Sequence, residues 1–589
     1  MTEPARRLAA LRAALAKLGV EGVLVPRGDE FLGEYVPPSA ERLAWLTGFT
    51  GSAGLAVVLM DRAAVFTDGR YTTQLAAETD PALWERRHIT EEPPAEWLRR
   101  HAPGRRIGYD PWLHAEAALA RFAGVSLVPL PRNPVDMVWT DRPAPPAAPV
   151  LAHRLEEAGV AAEAKREAAA AELRAAGEDA CLLADPHSVA WLLNIRGGDL
   201  AHTPLALGVC LLRADASAEF FLHAPERAPE ATRAHLGERV AVRDRSALPE
   251  ALAALKGRKL RLDPEATPAW FFARLREAGA EVVAGDDPCR LPRATKNPVE
   301  QAGARAAHRR DAVAVAEFLA WFAAEAPKGG LTEIAAARHL LDLRRLRPGF
   351  VAEAFPAISG SGPNGAIVHY RATAATDRAI GPGECYLIDS GAQYPDGTTD
   401  ITRTLWTGPG PAPEALRARY TAVLRGHIAL ATLRFPEGVA GPHLDAIARR
   451  PLWEMGLDYD HGTGHGVGSF LSVHEGPVAF SRAAKPVPIK AGMILSDEPG
   501  FYLPGHYGIR IENLLLVQPA PALADQAKPF LCFETLTLAP YCRALIEPAL
   551  LTAGERDWVN AYHARVRAEI GPLLGEGARA WLEAEAAPL

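Results

Sequence analysis

Apolar positions at Leu8, Leu11, Leu15 and Leu18, broken by Arg12 and Lys17, recur with helical spacing and predict an amphipathic helix over residues 7–18. A short apolar run, Gly22–Pro26, follows as a strand, and then Ala44-Trp45-Leu46 leads into a glycine-rich turn through Gly48, Gly51 and Gly54. Residues 55–60 and 63–66 are β-branched and apolar on either side of Asp61-Arg62, the pattern of a hairpin. The same order then returns: an Ala/Leu/Arg helix over 168–176, a strand at Cys181–Leu183, and Ala190-Trp191-Leu192 with Gly197 placed as Gly51 is in the first copy. Two occurrences of A-W-L-x₄-G, each behind a helix and a strand, point to a duplicated α/β unit.

Pro143 to Pro149 is a stiff proline-rich linker, and a second boundary falls between Pro288 and Lys296. Beyond it, residues 298–325 read as an amphipathic helical stretch. The pattern changes character from Asp389 to Glu512. There, acids and imidazoles stand inside apolar runs such as Tyr386-Leu387-Ile388-Asp389 and Gly492-Met493-Ile494-Leu495, which read as buried strands. A carboxylate at the end of a buried strand is costly unless it is paired or bound to a cation. This stretch repeats that cost four times.

Composition narrows the classes. At roughly 150 residues per domain, 589 residues suggest about three or four domains. A net charge of −7 without a basic block gives no support to nucleic-acid binding. The 6 cysteines are scattered with no C-x-x-C pair, which suggests a reducing compartment rather than a disulfide framework. No long apolar segment stands at the N-terminus, and no run approaches the ~20 residues of a membrane span. The expected location is the cytoplasm, with no membrane and no nucleic-acid partner.

Asp389 and Asp400 flank Gly391 and Asp396-Gly397, a hairpin signal that would set the two acids across an antiparallel pair. Glu498 and Glu512 repeat the arrangement around Pro499-Gly500 and Gly505, and His465 stands in a loop of alternating glycines. Alone, either aspartate reads as a turn or cap residue, and any one histidine as a satisfied structural group. Together, four carboxylates and one imidazole suit divalent manganese, cobalt or zinc better than a thiolate site would. Four carboxylates and one hydroxide nearly balance two dications, whereas one ion would leave like charges crowded together. Two ions about 3.5–4 Å apart can share a bridging hydroxide. Rival motifs fail: Gly462 to Gly468 is G-x-G-x-G-x-G, His474-Glu475 lacks the second histidine of H-E-x-x-H, and no P-loop or G-x-S-x-G occurs.

These motifs resemble the pita-bread metallopeptidases, and among them the long, three-domain cytosolic form of aminopeptidase P. The resemblance rests on Gly362-Pro363-Asn364-Gly365-Ala366-Ile367-Val368-His369-Tyr370, on the two aspartate motifs, and on Gly462 to Pro477. It continues in Asp497-Glu498-Pro499-Gly500, in Gly508-Ile509-Arg510-Ile511-Glu512-Asn513, in the tail at 533–538 and 557–563, and at the N-terminus in residues 46–54. It implies an α/β (α+β) chain: two related creatinase-like domains over 1–145 and 150–292, then a pita-bread catalytic domain over 295–589 with an extension from about residue 530. It implies Asp389, Asp400, His465, Glu498 and Glu512 as metal ligands, with Glu498 also accepting the proton of the nucleophilic water. His369 and His474 would be catalytic and substrate-binding, and His461 and Arg510 would shape the proline side of the cleft. Phe501 and Tyr507 depart from the family's usual tyrosine and phenylalanine.

The activity implied is removal of an N-terminal residue from peptides whose second residue is proline, by a hydroxide bridging two ions, manganese first among them. The bond is a tertiary amide, since proline lacks an N–H and has φ fixed near −65°. A prolidase acting on Xaa-Pro dipeptides is the alternative, and an inactive pita-bread module used for binding is the second. Homodimerisation is implied by the resemblance alone.

Overall fold

The computed structural model describes residues 2–589 in two compact units. The first, spanning residues up to Arg154 and Val160–Arg290, contains two six-stranded sheets built on one plan. In the first sheet, Gly22–Pro26 lies between Leu55–Leu59, antiparallel, and Arg106–Tyr109, parallel. Leu55–Leu59 then pairs antiparallel with Ala63–Thr67, and Glu85–His88 and Ser126–Pro129 complete the two edges in parallel. The second sheet repeats every one of these relations with Ala180–Leu183 at its centre, between Gly208–Arg213 and Lys259–Leu262. The A-W-L segments occupy matching places: helices Arg42–Thr47 and Pro186–Leu193 each follow the central strand of their sheet. Leu46 and Leu192 are buried, while Trp45 stacks on Trp139 and Trp191 lies under the Lys165 ammonium. Gly48 ends the first of these helices at φ +85°, a left-handed cap that only glycine adopts without strain. The first helix runs Glu3–Leu18, earlier than its apolar spacing indicates, because Pro4 suits the first turn of a helix.

The second unit, Leu155–Gly159 with Leu291–Leu589, opens on the helix Pro298–Glu325. Asn297 caps it in a reciprocal box: its side chain accepts from Val299 and Glu300 N–H, and Glu300 reaches back to the Asn297 N–H. The helix is amphipathic only in its first half. From Asp311 to Phe322 it is buried nearly all round, since helices Glu333–Arg345 and Glu576–Glu585 also pack against it. Its Phe318, Leu319 and Phe322 join Tyr386, Ile388, Tyr420, Leu424, Tyr562 and Leu582 in the main core of the unit. That core spans both the strands that carry the aspartates and the C-terminal helix Ala553–Ile570. Two sheets frame the site. One orders Ile358–Ser361, Cys385–Ser390 and Ile401–Trp406; the other orders Phe435–Pro436, Phe530–Thr535, Asn513–Pro519, Ile494–Asp497, Gly464–Gly466 and Glu475–Phe480.

Two fully buried charges brace the aspartate hairpin from behind. Arg344 donates from Nε and Nη2 to the two oxygens of Asp311, at 2.9 and 3.0 Å, and its guanidinium also reaches the carbonyls of Gly391 and Ser390. Asp311 accepts in addition from Tyr394 and Thr399, the latter beside Asp400. Removing one member of such a pair strands the other without compensation. Asp311→Ala should therefore destabilise the protein by about 3–5 kcal/mol, read as a shift in urea unfolding. An Asp311→Leu/Arg344→Met double variant should lose much less. Equal losses in the two variants would contradict this account.

Candidate metal centre

Each carboxylate pair lies at the joint between an outer strand ladder and an inner hairpin. In the first, Cys385–Ser390 runs antiparallel to Ile401–Trp406, with Asp389 opposite Thr402 and Ser390 opposite Ile401. Inside it, Ala392–Tyr394 turns back on Gly397–Thr398, closed by Pro395-Asp396. The turn is thus one residue earlier than Asp396-Gly397, because Pro395 presets the φ of the first central position. Asp389 and Asp400 are not direct cross-strand partners: Asp389 stands opposite Thr402, and Asp400 sits just outside the ladder. The second pair repeats the arrangement. Ile494–Asp497 runs against Asn513–Pro519, and the hairpin Gly500–Leu503 with Tyr507–Arg510 lies inside, leaving Glu498 and Glu512 at the joint.

The glycine alternation around His465 is a strand, Gly464–Gly466, rather than a loop. A Cβ at Gly464 would stand 1.9 Å from the Ser496 carbonyl oxygen, and one at Gly466 would stand 2.2 Å from that of Glu475. Glycine at those two places lets the neighbouring backbones close in, and a period of two leaves the imidazole between them on the opposite face. The His465 N–H donates to Ser496 Oγ at 2.9 Å, and its Nδ1 meets the Gly466 carbonyl at 3.0 Å, which turns Nε2 toward the acids. Nε2 stands 3.6 Å from Asp400 Oδ2 and 3.6 Å from Glu498 Oε1.

Donor atoms of Asp400, His465 and Glu512 all lie within 4.8 Å of one another. Asp389, Asp400 and Glu512 are buried, and Glu498 is half-buried. Three of these acids are driven toward protonation: burial, then the charges of Asp389 and Glu498, push Asp400 well above the carboxylate range. Burial, then Asp400, Asp389 and Glu498, does the same to Glu512. Glu498 is pushed up to about 7, chiefly by burial, against the pull of the Arg510 guanidinium. Asp389 Oδ1 and Asp400 Oδ1 are buried with no hydrogen-bond partner. Acceptor oxygens that are buried, convergent and unpaired are what a divalent cation requires, and a cation there would reverse these shifts. The donor set, oxygens with one imidazole nitrogen, therefore fits hard or borderline divalent ions.

A second tier stands behind the acids. Arg510 is fully buried; it donates from Nη2 to Asp389 Oδ2 at 2.6 Å, from Nη1 to Tyr502 at 2.7 Å and from Nε to Thr402 at 3.2 Å. Tyr502 in turn meets His461 Nε2 at 2.8 Å, so His461, Tyr502, Arg510 and Asp389 form one chain of contacts. Thr402 Oγ1 donates to Glu512 Oε2 at 2.8 Å. The His474 ring packs edge-on against His465, with centroids 4.3 Å apart. His369 lies on the loop after the turn Gly362–Ala366, half-buried, and that turn packs so closely on the strand Tyr507–Arg510 that a Cβ at Gly508 would meet Gly365 O at 1.8 Å. Sequence reasoning did not single out Tyr502 or Thr402. Tyr502 stands opposite Gly508 in the inner hairpin, and an aromatic facing an obligatory glycine was the available signal.

Known proteins resemble this chain along its whole length. Metallopeptidase family M24 matches residues 302–519, and the C-terminal region of the same peptidases matches 529–589. Creatinase/Prolidase N-terminal domains match 7–137 and 141–300. A protein of Coccidioides posadasii named "Probable Xaa-Pro aminopeptidase P" is 39% identical over 616 residues, covering 100% of both chains. One of the same name from Aspergillus fumigatus is 39% identical over 99% of this chain and 92% of its own. The crystal structure of a Caenorhabditis elegans X-prolyl aminopeptidase, described as a cytosolic enzyme with a di-nuclear active site, superposes with a TM-score of 0.93 at 33% identity over 100% of both chains. The prolidase of Pyrococcus horikoshii shares 25% identity at a TM-score of 0.50, covering 64% of this chain and 99% of its own. With two creatinase-like domains leading into a pita-bread domain, and full-length relatives of one kind, the chain belongs to the Xaa-Pro aminopeptidase P group of metallopeptidase family M24 and is a metallo-exopeptidase.

Proposed function

We propose that this protein removes the N-terminal residue from peptides with proline in second place, with two divalent metal ions, manganese before cobalt or zinc, held by Asp389, Asp400, His465, Glu498 and Glu512. The observation that carries the reading is the meeting of Asp400, His465 and Glu512 within 4.8 Å, with Glu498 3.6 Å from His465 Nε2 and the buried Oδ1 atoms of Asp389 and Asp400 unpaired. When bound, the ions polarise the scissile carbonyl and lower the pKa of the attacking water. Glu498 takes the proton from that water at its carboxylate. His369 and His474 donate to the oxygen that becomes negative as the carbonyl turns tetrahedral. His474 passes a proton to the prolyl nitrogen, without which an amide anion would have to leave. Arg510 holds Asp389 in place and, through Tyr502 and His461, shapes the proline side of the cleft. The remaining negative charge of the acids meets the substrate's α-ammonium.

The reading places the enzyme in the cytoplasm as a homodimer. No described helix is long and apolar enough to cross a membrane, and the nematode neighbour is described as cytosolic. Light scattering of the purified protein should give twice the mass of one chain.

Three measurements test the assignment. Asp400→Ala should lose at least one metal ion per chain, by elemental analysis, together with nearly all turnover; full metal content with wild-type turnover would refute the ligand role. His474→Ala should keep both ions yet lose roughly 10²–10⁴-fold in kcat, whereas His465→Ala should lose metal. Equal retention by the two would break the division between ligand and proton donor.

Substrate length then separates the two enzymes. Arg-Pro-Pro should release arginine, its N-acetylated form should be inert, and Arg-Ala-Pro should be poor by about 10–200-fold. Arg-Pro should be no better than the tripeptide. Cleavage of the dipeptide with tripeptides untouched would make the protein a prolidase.

A further inference from the structure

One carboxylate outside the metal centre gathers the loop on which His369 lies. Glu333 is the first residue of the helix Glu333–Arg345, and its side chain is completely buried. An acid at that place is ordinarily an exposed partner of the helix dipole or a cap. Here the cap is already supplied, because Thr332 Oγ1 accepts from the Ala335 N–H. Glu333 instead faces away from its helix and accepts five hydrogen bonds from four groups. Oε1 takes the Ser361 N–H at 2.7 Å and Asn364 Nδ2 at 3.1 Å. Oε2 takes Asn364 Nδ2 at 3.0 Å, the Tyr370 hydroxyl at 2.8 Å and the Arg378 N–H at 3.2 Å.

Those donors bracket one loop. Ser361 is its entry, at the end of the strand Ile358–Ser361, and Arg378 is its exit, whose carbonyl also accepts from the Glu333 N–H. Asn364 and Tyr370 stand between, and Asn364 Nδ2 further donates to the Tyr370 hydroxyl at 2.9 Å. The Tyr370 ring is packed with Ile358 and Leu387, so both ends of this side chain are fixed. His369 is the adjacent residue. The Ser361 and Arg378 N–H groups and Asn364 Nδ2 can only donate, while the Tyr370 hydroxyl shares its one proton between Glu333 and the Thr376 carbonyl at 2.9 Å. Both carboxyl oxygens thus face N–H donors, and an amide would turn its NH₂ toward one or more of them.

We propose that Glu333 is a positioning residue for the reaction: by gathering Ser361, Asn364, Tyr370 and Arg378 onto one carboxylate, it fixes the backbone that presents His369 to the substrate. The proposal rests on the reading above that His369 acts on substrate. It also accounts for the asparagine and tyrosine of the Gly362 to Tyr370 motif, whose side chains both meet the same buried acid.

The test is a double-mutant cycle on the full-length, metal-loaded enzyme. Glu333→Gln should keep its metal content and lose about 10–100-fold in kcat/KM on a Xaa-Pro tripeptide, the scale of a misplaced catalytic group. In the His369→Ala background the same change should cost less than about 3-fold, because the group it positions is gone. If Glu333→Gln does not accumulate as folded protein, Tyr370→Phe keeps the ring and removes one donor, and the cycle is run with it. A wild-type kcat/KM in the positioning variant, or losses that multiply in full in both backgrounds, would overturn the positioning role and leave the role of His369 standing. A His369→Ala enzyme with wild-type kcat/KM would overturn both.

Discussion

Four carboxylates drawn together beneath a protein surface repel one another and lose their hydration, and much of the second unit is arranged to hold them together nonetheless. Each pair is mounted where an outer ladder gives way to an inner hairpin, so the chain cannot relax one acid without breaking a strand pair. Arg510 leans on Asp389 from within, and Thr402 holds Glu512. Further back, the Asp311–Arg344 pair ties the carbonyls of Ser390 and Gly391 to the long helix. The upward push on Asp400, Glu498 and Glu512 reflects burial first and mutual repulsion after it, and divalent cations would oppose both. Affinity for metal and strain in the protein are thus two descriptions of one charge distribution.

What the sequence made legible, and what it hid, follows from this physics. Asp389 and Glu512 stood out because an acid inside an apolar β-branched run is anomalous on any account of burial. The repeated A-W-L segments were visible for a similar reason, since matching sheets place matching helices after their central strands. Gly464–Gly466 was hidden because a three-residue strand is too short to display alternation, and its glycines read as loop residues. The turn at Pro395-Asp396 was misread by one position, because the Asp-Gly signal outweighed the proline before it.

Residues that act through others were harder still. Tyr502 sits in an apolar hairpin where an aromatic means packing, and Glu333 opens a helix where an acid usually means a dipole partner. Gly508 opposite Tyr502 marks its place but not its task, and Glu333 has no local mark at all, because both tasks are defined by partners remote in sequence. Arg344 is the extreme case: a residue type that is nearly always exposed, placed at zero exposure by an aspartate on another helix.

Arg403, one residue beyond Thr402, binds the backbone carbonyl of Glu512 at 2.7 Å and, with the other arms of its guanidinium, the carbonyls of Ala539 and Pro540. Those two carbonyls belong to the segment that leads into the last helices, and Tyr562 of the helix Ala553–Ile570 closes over the same spot. One buried cation thus adds a polar stitch between a strand of the metal centre and the tail of the chain, beside the ladder of Asn513–Pro519 with Phe530–Thr535. The peptidase core of residues 302–519 is for that reason not a transplantable cassette: grafted alone, it would leave a guanidinium buried opposite missing acceptors, directly beneath the glutamate it steadies.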